Sequence, residues 1–329
     1  MSPENLVGRI FPPHVMREIE ALVDVDASHV VTDLGPAARA ALREADLVIA
    51  GWGAPLIGID DAPNLKGVVY AGGVAATCLR ETDEWAARGV RATNARAANA
   101  IPVAEYALAM ILLAGKDAFG AAERFRRERV SPGRENDAAG VGNLGRTVGL
   151  VGLSHVARAL IALLRAFRFD IVVYSPELTD GLAHELGIRR ADLAEVFAVS
   201  DVVSLHQPLI DATRGQIDRE LLALMRDGAT LINTARGGVV DGAALRAELA
   251  SGRIRAVLDV TDPEPLGADD PLWEMPNVVL TPHIAGSMGS ELHRIGEACL
   301  DEVRRFAAGE PFAHEEDLAP RTILREERL

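Results

Sequence analysis

Three side chains in the second half of the sequence have the types and surroundings for shared chemistry: Arg236 in NTARGGVVDG, Glu264 in DVTDPEPL and His283 in LTPHIAG. A guanidinium offers a planar fork that can hold a carboxylate and polarise the carbonyl next to it, which a lysine point charge does less well. An imidazole titrates near neutral pH, so it can take a hydroxyl proton or return it. A carboxylate beside that imidazole would orient it and favour its charged form. Together these groups suit hydride exchange between a 2-hydroxy acid and its 2-oxo acid. The elements that must position them are equally plain. Leu231-Ile232, Ala256 to Leu258 and Val278 to Leu280 are apolar runs directly before the three motifs. They read as buried parallel strands emptying their polar tips at one sheet edge, where open α/β sheets bind ligands.

A second constellation lies upstream in RTVGLVGLSHVARALIALLRAFRFDIVVYSPE. An apolar strand, a glycine turn, an amphipathic helix and a second strand make a βαβ unit of the dinucleotide-binding kind. At the three fingerprint places stand Gly152, Ser154 and Ala157. Alanine at the third place is tolerated, whereas serine at the second puts a Cβ where backbone approaches the pyrophosphate. The hydroxyl of Ser154 could compensate by donating a hydrogen bond, and the helix N-terminal amides of His155 and Val156 suit the phosphates. The ribose position, about 20 residues further on, normally carries an acidic residue. Here it carries Ser175, followed by Pro176 and Glu177. The reading is NAD, with Glu177 serving the ribose, and NADP as the open alternative because no carboxylate at Ser175 repels a 2′-phosphate. In the first hundred residues, GVVYA ends in Gly72-Gly73, a turn able to present bare N–H groups to a substrate carboxylate.

These motifs resemble those of the D-isomer-specific 2-hydroxyacid dehydrogenases. The resemblance rests on N-x-x-R-G-x-x-x-D around Arg236, a glutamate before a proline at Glu264, T-P-H at His283 and S-x-H-x-P at His206 and Pro208. It implies Arg236, Glu264 and His283 as the catalytic set, with Gly72, Gly73, Arg236 and His283 on the substrate. It implies cofactor contacts at Asn99, Gly152, Ser154, His155, Val156, Ser175, Pro176, His206, Pro208, Thr234, Ala235, Arg236, Asp259, His283 and Gly286. His206 is assigned to the cofactor loop, because the proton-transfer role falls to His283. Formate dehydrogenases of this kind carry glutamine at the glutamate position, so Glu264 favours a true hydroxy acid. The same fold also serves as a dinucleotide-sensing corepressor, which stands as the second reading. The resemblance implies an α/β fold of two Rossmann-like parallel-sheet domains, one flavodoxin-like and one dinucleotide-binding, with the active site in an interdomain cleft. The boundaries read as 1–101 with 286–329 for the substrate domain, and 102–285 for the cofactor domain.

Within those bounds, Val30-Val31, Leu47 to Ala50 and Val68 to Tyr70 read as strands of the first domain, alternating with helices over Ala37 to Glu44 and Asp83 to Arg88. Pro102 reads as a helix start, with Val103, Tyr106, Ala107, Met110 and Leu113 on one face. In relatives that helix commonly joins a dimer interface, so a homodimer is expected. AERFRRERV and SPGRENDAAG read as a charged helix end and a polar loop. A long helix from Glu291 to Ala307 and a charged tail follow His283, with no room read for an appended regulatory domain.

Length and composition frame the same picture. The 329 residues, 49% hydrophobic and 25% charged, suit two globular domains. A net charge of −14 disfavours nucleic acid and anionic membrane surfaces as partners. Cys78 and Cys299 lack metal-ligand or disulfide spacing, so no metal is expected and a reducing cytoplasm is. No secretory signal is read at the N-terminus, and no apolar run reads as a membrane span.

Overall fold

The structure is a computed structural model that describes residues 4–25, 30–130 and 141–318. The polar loop at 131–140 and the charged tail lie outside the described residues. Along the chain the strands are β1 (Leu47–Gly51), β2 (Gly67–Ala71), β3 (Arg91–Asn94), β4 (Thr147–Val151), β5 (Asp170–Tyr174), β6 (Arg189–Arg190), β7 (Val202–Leu205), β8 (Thr230–Asn233), β9 (Arg255–Leu258), β10 (Val278–Leu280) and β11 (Glu315–Glu316). The chain forms two compact units, Met1–Asn99 with Ser287–Leu329, and Ala100–Gly286. Each is an α/β layer structure around its own sheet.

In the first unit the sheet order is β1-β2-β3-β11, with β1, β2 and β3 parallel and β11 antiparallel to β3. Every residue of β2, GVVYA, is buried, as expected of a strand covered on both faces. The helix Leu292–Ala307 covers one face with Leu292, Ile295, Cys299, Leu300 and Val303, packed with Ile10, Val15 and Ile19 of the two N-terminal helices. Val30-Val31, expected as a strand, forms none: both valines are only half buried, and two apolar residues are too short a run to hold an edge. The antiparallel β11, from the far end of the chain, completes the sheet instead.

In the second unit the order is β10-β9-β8-β7-β4-β5-β6, all neighbours parallel. The chain builds outward from β4 to β6 and then, from β7, outward the other way. The exits of β4 and β7 therefore flank the point where strand order reverses, the place at which such sheets hold ligands. The helix His155–Leu164 buries Ala157, Leu160, Ile161 and Leu164, the i, i+3, i+4, i+7 stripe of one helical face. Burial of each of the larger side chains, Leu160, Ile161 and Leu164, contributes roughly 1.5–3 kcal/mol, so the sheet edge is set on a stiff base.

The helix Arg96–Gly115 departs from expectation. Pro102 lies inside it, not at its start, and the boundary between the units falls within it. By length and composition this helix also meets the requirement for a membrane span, which the sequence reading did not register. Its Ala104, Ala107 and Ile111 pack with Leu150, Leu160 and Ile161 in a core cluster of the second unit, as a core helix does.

Gly152, at the β4 exit, has φ +97, and a Cβ there would stand 2.8 Å from the Gln207 amide nitrogen at the β7 exit. Gly152→Ala should therefore lose about 3 kcal/mol or more in urea denaturation, from left-handed strain and backbone collision together. Gly181→Ala, in a helix where a Cβ meets nothing within 4 Å, is expected to be neutral or slightly stabilising.

Candidate active site

Strands β8, β9 and β10 lie side by side in register, Asn233 opposite Leu258 and Leu258 opposite Leu280. Arg236, Glu264 and His283 leave these three neighbouring exits. His283 and Glu264 meet directly, Nδ1 to Oε1 at 2.6 Å. A carboxylate only accepts, so the hydrogen of this pair sits on Nδ1 and Nε2 is left as the exchangeable position. His283 has φ 53, in the left-handed region. Its N–H is held by the carbonyls of Asp259 and Thr281, each at 3.0 Å.

Asp259 is 2% exposed. One of its carboxylate oxygens accepts from the Thr281 hydroxyl at 2.6 Å and from Ile284 N at 2.9 Å, and the other accepts from Ala285 N at 2.9 Å. This side chain, which the family resemblance assigns to the cofactor, is thus the internal anchor of the loop that presents His283. Thr281 in turn pairs with the Tyr106 hydroxyl at 2.7 Å. Burial, the largest cause, pushes the Tyr106 phenol up, so the ring acts as a neutral partner.

Arg236 is set by two neighbours. The buried Asn233 accepts from Ala235 N at 3.0 Å and donates through Nδ2 to the Arg236 carbonyl at 2.9 Å, closing a tight loop at the β8 exit. Gly237 then passes so close to the β9 exit that a Cβ would lie 2.0 Å from the Thr261 carbonyl group. The Arg236 guanidinium also donates to the Ala235 carbonyl at 2.7 Å. Asn233, Gly237 and Thr281 belong to the motifs that carry the resemblance and Tyr106 to an apolar helix face, but the sequence did not show these roles for them; the paired glycines after Arg236 were the available signal of close approach.

At the cofactor edge, polar groups and space are arranged around the exits of β4, β7 and β8. Ser154 is the N-cap of its helix, its Oγ accepting from Ala157 N at 3.4 Å. The hydroxyl hydrogen stays directed by that bond but available to an anion, at a helix start of the kind that binds phosphates. Among the described residues, buried side-chain atoms without a hydrogen-bond partner include His206 Nε2, Gln207 Oε1 and Thr234 Oγ1, beside the β7 and β8 exits. An orphaned buried polar atom costs about 1–3 kcal/mol, and a polar ligand over these exits would relieve it. Burial pushes the His206 imidazole down to about 4, so it is neutral and suits no proton-transfer role at pH 7. Ser175, following β5, is buried and accepts from Glu177 N at 3.4 Å, while Glu177 is exposed. Pro208 and Pro176 are exposed, Ala235 and Gly286 half-buried. These residues fit a dinucleotide.

In the first unit, the Gly72 amide donates to the Tyr70 carbonyl at 2.8 Å, so it is not a substrate donor as expected. Gly72 is glycine because a Cβ would stand 2.5 Å from the Tyr70 ring. Gly73 is different: a Cβ there would meet nothing within 4 Å. Asn99 accepts from Ser287 N at 2.9 Å, tying together the two segments at the unit boundaries.

The strand order and the ligand edge define a two-unit α/β protein with a dinucleotide-binding unit. Residues 108–285 match the family described as D-isomer specific 2-hydroxyacid dehydrogenase, NAD binding domain. The D-3-phosphoglycerate dehydrogenase of Mycobacterium tuberculosis is 37% identical over 250 residues, covering 76% of this chain and 46% of that protein. A hydroxypyruvate reductase of Thermotoga maritima is 34% identical over 254 residues, 74% of this chain and 78% of that one. Apo D-mandelate dehydrogenase of Rhodotorula graminis superposes with TM-score 0.77 at 26% identity, covering 92% of this chain and 93% of that one. The chain belongs to the D-isomer specific 2-hydroxyacid dehydrogenases. It spans about half the length of the phosphoglycerate dehydrogenases it matches.

The depressed titration of His206 has a stability consequence with a definite sign. Its folded value, about 4, lies below the ordinary 6.5, so the contribution is complete above pH 6.5 and is lost as pH falls toward 4. Between pH 7.5 and 5 the loss from this group is about 2 kcal/mol. Urea midpoints of the wild type should fall over that interval by more than those of His206→Gln, and parallel slopes would exclude the assignment.

Proposed function

We propose that the protein is a nicotinamide-dependent dehydrogenase exchanging hydride between a small D-2-hydroxy acid and its 2-oxo acid. The observation that carries the reading is the 2.6 Å Glu264–His283 pair on strand exits next to that of Arg236. Gly152 and Ser154 at the β4 exit, with His206, Gln207 and Thr234 at the β7 and β8 exits, would hold a nicotinamide dinucleotide, which would supply or accept the hydride. His283 Nε2 takes the hydroxyl proton in oxidation and returns it to the carbonyl oxygen in reduction, while Glu264 balances the imidazolium. Arg236 holds the carboxylate and steadies charge on the reacting oxygen. A dinucleotide sensor has no need of such a pair, so the enzyme reading is preferred.

NAD is the proposed cofactor. The reading is supported by the exposed Glu177, a carboxylate two residues after Ser175 that could accept from a ribose hydroxyl, and by the arginines of neighbouring β6 being already engaged, Arg189 by Glu195 and Arg190 by Asp180. That leaves little positive charge for a 2′-phosphate. A cytoplasmic setting is proposed on Cys78 and Cys299, both buried and unpaired. A homodimer is proposed because the helix Ala118–Glu128 buries no residue of its own, although it carries Phe119 and Phe125. An amphipathic helix without a covered face calls for a partner surface. Sedimentation should give a dimer for the wild type and a monomer for Phe125→Glu; a monomeric wild type refutes this.

The activity test is a panel of glyoxylate, hydroxypyruvate, pyruvate and bulkier 2-oxo acids with NADH and NADPH. Turnover with NADH is expected, falling more than ~100-fold in kcat for His283→Ala and losing most of kcat/KM for Arg236→Ala. Near-normal turnover in either variant rejects the assignment, and tight dinucleotide binding without turnover on any acid replaces it with the sensor reading.

A further inference from the structure

The turn at Gly72-Gly73 is gripped from behind by the far end of the chain. Strand β11 sets Glu316 beside β3, with its side chain 8% exposed. One carboxylate oxygen accepts from Ala75 N at 3.1 Å and from Asn94 Nδ2 at 2.7 Å, and lies 3.3 Å from Arg96 Nη2. The other accepts from Ala76 N at 3.3 Å. Asn94 Oδ1 accepts from Arg96 N at 3.1 Å, so the arginine is held at both its backbone and its guanidinium. Its Nε then donates to the Gly73 carbonyl, and Ala95 N donates to the Gly72 carbonyl at 2.9 Å.

Peptide planarity turns this grip into a direction. In a trans peptide the N–H of one residue points opposite to the C=O of the residue before it. Drawing the Gly72 and Gly73 carbonyls toward Ala95 and Arg96 therefore aims the Gly73 and Val74 amides away from those two residues. Neither amide has an acceptor among the described residues. Two neighbouring N–H groups with one heading match the two oxygens of a carboxylate.

We propose that Glu316 is a positioning residue for the substrate: through Arg96, Asn94 and the amides of Ala75 and Ala76 it fixes the turn so that Gly73 and Val74 receive the substrate carboxylate as a pair. This rests on the 2-oxo acid reading above and deepens it. Glu316 touches neither cofactor nor reacting atoms; its effect passes through the orientation of two peptide planes.

The test compares wild type with Glu316→Ala, Glu316→Gln and Arg96→Met. It measures oxamate affinity of the NADH-loaded protein by calorimetry, NADH affinity, and KM and kcat for the best 2-oxo acid. Glu316→Ala and Arg96→Met should weaken oxamate and raise KM by at least about tenfold, with the loss falling on KM rather than kcat and NADH affinity unchanged. Glu316→Gln keeps an acceptor for Ala75 and Ala76, and should recover part of the loss. A folded Glu316→Ala that binds oxamate like the wild type overturns the proposal, as does an unaffected Arg96→Met should Glu316→Ala fail to fold. A wild type that binds oxamate without turning over any acid, with binding weakened in the variants, removes the proposed activity and keeps the positioning role. A wild type that binds neither oxamate nor a 2-oxo acid overturns the role itself.

Discussion

The buried carboxylate of Asp259 is the constraint on which the site depends. A carboxylate at 2% exposure must be matched by donors, because its desolvation costs several kcal/mol. Among the described residues its donors are the Thr281 hydroxyl and the amides of Ile284 and Ala285, all from the segment leaving β10 and none of them a cation. Satisfying one buried charge thus folds that segment back over the β9 exit. His283, caught between Thr281 and Ile284, takes a left-handed conformation that a histidine would not choose alone. Glu264 leaves the same β9 exit five residues after Asp259, so one strand end both anchors the imidazole loop and supplies the partner for its ring.

The cofactor edge is built on a different balance. Gly152 is required where β4 and β7 leave almost in contact, whereas the next fingerprint glycine is replaced by Ser154. Backbone approach at that place is exchanged for a capped helix start, since Ser154 accepts from Ala157 N and its hydroxyl hydrogen remains a donor. The departure changes how a phosphate is met without removing the donors that meet it. The unpartnered atoms of His206, Gln207 and Thr234 belong to the same logic, being polar atoms arranged for something other than the protein.

What was legible in the sequence follows from how locally each feature is determined. The strands at Leu231, Ala256 and Val278 announce themselves as apolar runs because both faces of a parallel sheet are covered, and the polar residues directly after them mark its ligand edge. Arg236, Glu264 and His283 could be named from those endings. Pro102 could not be placed by its usual preference for helix starts, since tertiary packing of Ala104, Ala107 and Ile111 carries the helix straight through it. Val30-Val31 misled for the opposite reason, apolar type without enough neighbours to bury. The anchoring role of Asp259 was hidden because a motif shows a residue type and its place, not the direction its oxygens face.

The two units also differ in what kind of recognition they write into the sequence. In the second unit chemistry is carried by side chains at strand exits, so residue types at fixed spacing reveal it, and the family match lies within that unit. In the first unit the groups turned outward are backbone amides, which every residue except proline possesses. Their direction depends on carbonyls held by Ala95 and Arg96, and on a glutamate more than two hundred positions from the turn. Such a site has no signature of its own, because its information resides in what grips the turn from behind. The same reasoning explains why Gly72 was readable as special for a reason other than the one expected: it is glycine to let the Tyr70 ring pass, and its own amide is engaged by the Tyr70 carbonyl.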